Sequence, residues 1–428
     1  MNSALRNNSS YHKWYSIILG WITFLSLFDP KANGLFNLNL LPILFLCLFV
    51  LVAFGISKKQ LRFKLDLLPA LFICLYLLYA FYAIFTRNPH QAGVYFENKL
   101  SFLLLPFLFS FRPISKISFS PIIYGWVLGC LWLIINSFIH SFQCAANPIN
   151  SGCFVASTFS FQHHPTYTSI FHTVAFFFTI HAYRTKMKGF SLPITVLIAI
   201  LLTLGIFLCL SLAGLLFFMF SLAISIVWLI AKKWGRIWGI VSVLAFPFIL
   251  YLLIFNVPRI EGEWSNATWY AEQYLKEPKT YVQNCKPPHS GTQTRLIMWT
   301  LSYQACLDYP LGVGTGNVDE VLAHYQRQYN QEDMIQYQYN PHNQYLQTWL
   351  EIGIFGLLIL IAVFSIAIVV GIRSKNYLLI IVSSCLAFNC LFESIFQRQS
   401  GIFYGTFLLL IIQLYASNAQ LFHQKQES

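Results

Sequence analysis

The chain has 428 residues, of which 57% are hydrophobic, 18% aromatic and only 10% charged. That balance excludes a water-soluble globular fold, which would lack the polar surface to cover itself, and points to an all-α integral membrane protein. The net charge of +12 is distributed over short segments between apolar runs, so it reads as topology and contact with anionic membrane lipids, and no nucleic-acid footprint is visible.

Apolar runs long enough to cross roughly 30 Å of hydrocarbon recur along the chain, about twelve in all. In order they fall near residues 14–29, 39–56, 67–86, 99–112, 121–140, 166–183, 191–210, 213–231, 236–255, 345–371, 376–394 and 401–417. The fourth is short and contains Pro106. The first lacks a small-residue cleavage site and further spans follow at once, so no cleaved signal peptide is expected. With the N-terminus inside, the inside segments collect Lys58, Lys59, Arg62 and Lys64, then Arg112 and Lys116, Arg184, Lys186 and Lys188, and Lys232, Lys233 and Arg236. Short outside loops are nearly empty of Lys and Arg, which predicts cytoplasmic termini at both ends. No internal repeat is visible, against the inverted-repeat transporters.

Three regions follow from this pattern: 1–255 with about nine helices, a polar and aromatic-rich outside loop over 256–344, and 345–428 with about three helices. Cys47, Cys74, Cys130, Cys209, Cys385 and Cys390 fall in spans, where cysteine acts as a small hydrophobe. Cys144 and Cys153 share one outside loop and form the preferred disulfide pair, with free thiols as the alternative. Within the long loop, Leu296, Trp299, Leu301, Ala305 and Leu307 recur at helical spacing up to Pro310, predicting a helix at the membrane surface. "LGVGTGN" follows, and its alternating glycines read as a tight turn before they read as a phosphate cradle.

The stretch "YNPHNQYLQTWLEIGIFG" (339–356) leads from that loop into the tenth span. Asn340 is a good N-cap and Pro341 suits the first helical position, which predicts His342 and Asn343 in the first turn. A helix N-terminus favours neutral imidazole, so His342 could take a proton from a hydroxyl nucleophile. An interfacial histidine beside Tyr345 and Trp349 is the alternative on spacing alone. Gly353 and Gly356 suggest close packing of a neighbouring helix.

His342-Asn343, nine residues and then Gly353-Ile354-Phe355-Gly356 resembles the signature of the O-antigen ligase family, which also contains O-antigen polymerases and related oligosaccharyltransferases. "FQHHPTY", "ENKLSFLLLP", "TRLIMW", "PLGVGTGN" and "ESIFQRQSG" extend the resemblance over residues 60 to 415. It implies about a dozen transmembrane helices with one large periplasmic loop containing short helices. It also implies transfer of a glycan from an undecaprenyl-diphosphate donor to a sugar hydroxyl, such as that of lipid A core or a growing glycan. The reaction would occur on the periplasmic face of the bacterial inner membrane, with no metal and no cofactor. His342 matches the residue that activates the acceptor hydroxyl and Arg295 the arginine that holds the diphosphate, as the chemistry of a poor nucleophile and an anionic leaving group requires.

One departure stands out. Where family members often carry Ser-Arg-x-Gly, this chain reads Ser211-Leu212-Ala213-Gly214, so another cation must serve. Arg398, Lys99 and Arg87 lie at predicted outer span ends and are the candidates, Arg398 first. Glu97 with Lys99 and Glu393 with Arg398 could equally be structural ion pairs. Asn343, Glu393, His163, His164 and Tyr167 are the further substrate-binding candidates. A metal at His163 and His164 is not expected, because adjacent residues diverge and no Cys, Asp or Glu stands close by in sequence. Tyr167, Trp264, Trp269 and Trp299 could stack on sugar rings or anchor the interface. The alternatives to ligation are chain polymerisation within the same family and, in another class, a lipid-glycan transporter, which would call for ionisable residues at mid-depth in several spans.

Overall fold

The structure, a computed structural model, describes residues 2–28, 40–147, 152–238, 240–241, 243, 255–256, 258–285 and 290–427. Helices occupy every predicted apolar run except the ninth, 236–255, most of which lies outside the described residues. In chain order they are α1 (Asn2–Ser26), α2 (Leu41–Ser57), α3 (Leu67–Ala83), α4 (Pro89–Asn98), α5 (Ser101–Phe109), α6 (Ser120–Ala145), α7 (Ala156–Phe159), α8 (Pro165–Arg184), α9 (Leu192–Leu208) and α10 (Leu212–Trp234). The long connection holds α11 (Pro258–Lys276), α12 (Pro278–Asn284), α13 (Gly291–Asp308) and α14 (Val318–Gln328). The chain then runs through α15 (Gln344–Arg373), α16 (Tyr377–Asn389) and α17 (Gln399–Glu427).

Among the described residues, α6, α10, α15 and residues 399–418 of α17 are long and apolar enough to cross a membrane. Helices α2, α3, α9 and α16 are shorter but equally apolar. The chain is thus an all-α membrane protein, and its exposed apolar side chains, Phe49, Leu197, Ile200 and Ile224 among them, lie where a soluble protein would place charge.

The short fourth run has a structural answer. Its apolar part, α5, is only 9 residues long with Pro106 inside, and the 10-residue, more polar α4 leads into it through Lys99 and Leu100. Beyond α5, Phe111–Pro113 pairs antiparallel with Leu61–Phe63. This small ribbon joins two of the basic segments, and Arg112 forms an ion pair with Asp66 there.

Helix α15 departs from the expected uniform span. Ile352 (φ −128°) and Gly353 (φ +76°) leave helical geometry, separating a short leading piece, 344–351, from the apolar remainder. The "PLGVG" segment fills the break: Val313 and Gly314 donate to the carbonyls of Leu350 (2.8 Å) and Glu351 (3.0 Å), and Ile354 donates to Pro310 (3.0 Å). Gly353 is therefore a break that a loop enters, where the sequence suggested helix packing. A Cβ on Gly353 would lie 2.5 Å from the Leu311 carbonyl oxygen, and one on Gly312 would lie 2.5 Å from the Gly353 nitrogen. Both positions need glycine for that approach and for their positive φ.

The long connection has its own small core of Val282, Ile297, Met298, Leu301, Val318, Leu322 and Met334. Leu350 of α15 completes it. This anchoring fixes α13 against the start of α15.

Candidate functional site

Helix α15 starts three residues later than Asn340 suggested. Asn343 is the N-cap, its side chain accepting from the backbone of Tyr345 (2.9 Å) and Leu346 (3.1 Å). Asn340 instead accepts from the His342 nitrogen at 2.8 Å in a local turn. His342 is consequently outside the helix, at φ +47°, with Trp299 Nε1 donating to its carbonyl at 3.2 Å. The dipole argument for His342 applies to a residue just before the cap, not within the first turn.

Three charged or titratable groups meet there. His342 Nδ1 lies 3.4 Å from Glu393 Oε2, and Arg295 Nη2 lies 3.9 Å from the same oxygen. Arg295 Nε donates to the Phe392 carbonyl at 2.9 Å, which aims the guanidinium along the connection between α16 and α17. Glu393 is 5% exposed. Burial alone would raise its carboxyl, but the hydrogen bond and charge of His342, with His164 and Arg295, outweigh it and bring the group down to about 2. It is a carboxylate at neutral pH.

The remaining candidates separate. His164 caps α8, its Nδ1 accepting from the Thr166 nitrogen at 3.4 Å. Burial lowers its pKa, Glu393 opposes this, and Arg398, Arg295 and His342 add to the lowering. Neutral His164 and the exposed Arg398 thus border the same cluster. His163 turns away: its Nε2 lies 3.3 Å from the Leu27 carbonyl and its ring packs edge-on to Phe171 and Tyr404. Among the described residues no group of three or more His, Cys, Asp or Glu could hold a metal ion. Tyr167 is 2% exposed and donates to the Ile395 carbonyl at 3.2 Å, so its ring is closed to a sugar. Arg87 is exposed, its backbone nitrogen held by Asn317 Oδ1 at 2.9 Å, and no described contact joins it to His342 or Arg295.

Lys99 does not pair with Glu97. It is fully buried and bonds Glu351 at 3.2 Å, with the rings of Tyr79 and Tyr95 at 4.5 and 4.8 Å from its Nζ. A side chain so enclosed offers no cation to a diphosphate. Glu351 was not singled out from the sequence; a lone acid at the thirteenth position of the 339–356 stretch, where it turns apolar, was the available signal.

Leu212 opens α10, and the preceding Ser211 Oγ donates to Thr166 Oγ1 at 3.3 Å, two residues from His164. A groove of about 940 Å³ runs beside Asn343. Trp299, Tyr303, Tyr345, Trp349, Leu357 and Leu391 are among the residues that line it. Trp264 and Trp269, on α11, are not among its lining residues. Cys144 and Cys153 are joined in a disulfide with their Cα atoms 5.6 Å apart.

No curated protein matches the chain. The family model described as O-Antigen ligase matches residues 197–361, a segment that includes the Ser211–Gly214 turn, Arg295, His342, Gly353 and Gly356. Over that segment the chain is similar to the O-antigen ligase family.

Proposed function

We propose that this protein is a metal-independent membrane glycosyltransferase that moves a glycan from an undecaprenyl-diphosphate donor to a sugar hydroxyl, such as one on lipid A core. The observation that carries the reading is the convergence of His342 and Arg295 on Glu393, at 3.4 and 3.9 Å. In this reading Glu393 accepts from Nδ1–H of His342, which leaves Nε2 as the proton acceptor. The acceptor oxygen attacks the anomeric carbon as its proton passes to Nε2. The bond from that carbon to the diphosphate oxygen breaks, and the electron pair leaves with undecaprenyl diphosphate.

Arg295 faces the leaving group. Its Nε is occupied by the Phe392 carbonyl, and its terminal nitrogens serve both Glu393 and an incoming phosphate. Arg398 takes the place of the family arginine absent at Leu212, and His164 borders the donor as a neutral hydrogen-bonding group. The aromatic groove beside Asn343 suits the acceptor, with sugar rings against Trp299 and Tyr303 and the lipid portion toward Leu357 and Leu391.

The topology that goes with this reading has about twelve spans, both termini in the cytoplasm and residues 256–344 in the periplasm, in the bacterial inner membrane. Residues 1–255 and 345–428 form the two membrane regions. The test is a deletion strain complemented with wild type, His342→Ala or Arg295→Ala, each matched for membrane expression. Lipid-linked precursor should accumulate in both variants, and the destination of the wild-type glycan separates ligation from polymerisation. Unimpaired transfer by His342→Ala would remove the mechanism and leave transport to be tested.

A further inference from the structure

The leading piece of α15, residues 344–351, is tied at both ends to the connection between α16 and α17. At its start, the Gln344 nitrogen donates to the Cys390 carbonyl at 2.8 Å, and Gln344 Oε1 accepts from the Phe396 nitrogen at 2.6 Å. At its end stands Glu351, the last residue before the Ile352–Gly353 break. Its Oε2 accepts from Gln347 Nε2 at 3.2 Å and Gln397 Nε2 at 2.9 Å, and its Oε1 from Lys99 Nζ at 3.2 Å. Lys99 Nζ also donates to Gln397 Oε1 at 3.4 Å.

Both charges are fully buried, and desolvating such a pair is expensive enough that an apolar replacement is often as stable or more so. Stability therefore does not account for the pair well; location does. The strut carries His342 and Asn343 at one end, and the connection it braces carries Glu393 and Arg398. Gln397, held by both Lys99 and Glu351, is adjacent to Arg398.

We infer that Lys99 and Glu351 are positioning residues, which through Gln397 hold the strut against the 390–398 connection and so set the spacing of His342, Glu393 and Arg398. The inference rests on the transferase reading above. It differs from a substrate-binding role for Lys99, since neither side chain reaches the site.

The test uses full-length protein in lipid nanodiscs, with undecaprenyl-diphosphate glycan and lipid A core extracted from the host cells. Glu351→Asp keeps both charges but shortens the arm, and Lys99→Met with Glu351→Gln removes both charges together. Each should melt close to wild type, lose about 10- to 100-fold in kcat with donor KM rising by no more than about tenfold, and exchange amide hydrogens faster over 344–350. Wild-type kcat in Glu351→Asp would overturn the proposal and leave a pair that serves folding alone. If the double variant does not fold, Glu351→Asp decides by itself. If wild type transfers nothing, the functional reading fails, and the exchange rates decide separately: unchanged protection over 344–350 in Glu351→Asp overturns the positioning role, and faster exchange upholds it.

Discussion

Oε2 of Glu393 stands 3.4 Å from Nδ1 of His342, a contact between two residues on either side of α16. In the proposed mechanism Glu393, ionised well below its ordinary range, holds a proton on His342 Nδ1 and stabilises the imidazolium formed during transfer. Glu393→Gln presents an amide in place of the carboxylate and should lower kcat on the order of 10²-fold, with His342→Ala losing about 10²- to 10⁴-fold. The sign of the pH dependence follows from the lowered pKa. The stability Glu393 contributes is fully present above its unfolded value of 4.5 and is lost as pH falls toward about 2. Glu393→Gln should accordingly flatten this acid-side loss of stability while leaving stability near neutral pH lower than in wild type. Thermal unfolding against pH in wild type and Glu393→Gln checks this; the same acid-side loss in the variant would show that Glu393 does not supply it.

Arg295 binds at two ends, with Nε on the Phe392 carbonyl and Nη2 toward Glu393. Lysine has one ammonium and cannot make both contacts while facing a phosphate. Arg295→Lys should therefore behave nearly as badly as Arg295→Ala, with a loss of about 1.5–3 kcal/mol in donor transition-state binding. The measurement is kcat/KM for the lipid-linked donor; wild-type values in Arg295→Lys would reduce the role of Arg295 to that of a point charge.

Much of the fold was legible because a span needs a long apolar run whatever its neighbours do, and α6, α8 and α9 begin and end within a few residues of the runs read from sequence. Motif spacing singled out His342, and the resemblance of the loop segment singled out Arg295. What the sequence obscured depends on pairing across distance. Nothing local links Glu393 to His342, 51 residues away, or Lys99 to Glu351, 252 residues away. Lys99 resembled an outer-surface cation because its own neighbours are polar; only the packing of α3, α4 and α15 encloses it. The cap was misplaced because Asn340 and Asn343 are both competent, and the choice went to the residue whose helix could meet the Cys390 carbonyl. Gly353 looked like a packing glycine because its positive φ has no signature apart from the loop that enters beside it.

That loop gives the third prediction. Gly353→Ala forces a Cβ against the Leu311 carbonyl oxygen at 2.5 Å and strains a residue at φ +76°. It should cost about 1–3 kcal/mol, and transfer should fall with it because the strut hangs from this break. Gly93→Ala is the control: it is helical, with open space around the added Cβ, and should be neutral or stabilising by about 0.5–1 kcal/mol. Thermal unfolding of the two variants in one detergent separates strain at the break from a general response to added methyl groups.

The last prediction concerns the arginine missing at Leu212. Leu212 begins α10 next to Ser211, whose hydroxyl contacts Thr166 in the first turn of α8, and His164 caps that same turn. Arg398 acts electrostatically on His164 from the α16–α17 connection. Leu212 approaches this histidine from α10 and Arg398 from the α16–α17 connection. If Arg398 supplies the charge that Leu212 does not, Arg398→Ala should raise donor KM by about tenfold, one charge-assisted contact's worth. Adding Leu212→Arg to Arg398→Ala should then recover part of that loss, whereas Leu212→Arg in the wild-type background should change KM little. Donor KM measured across wild type, the two single variants and the double variant forms a complete cycle. Additive effects with no recovery would show that the two sites do not share a phosphate, and the donor would then rely on Arg295 with no second arginine.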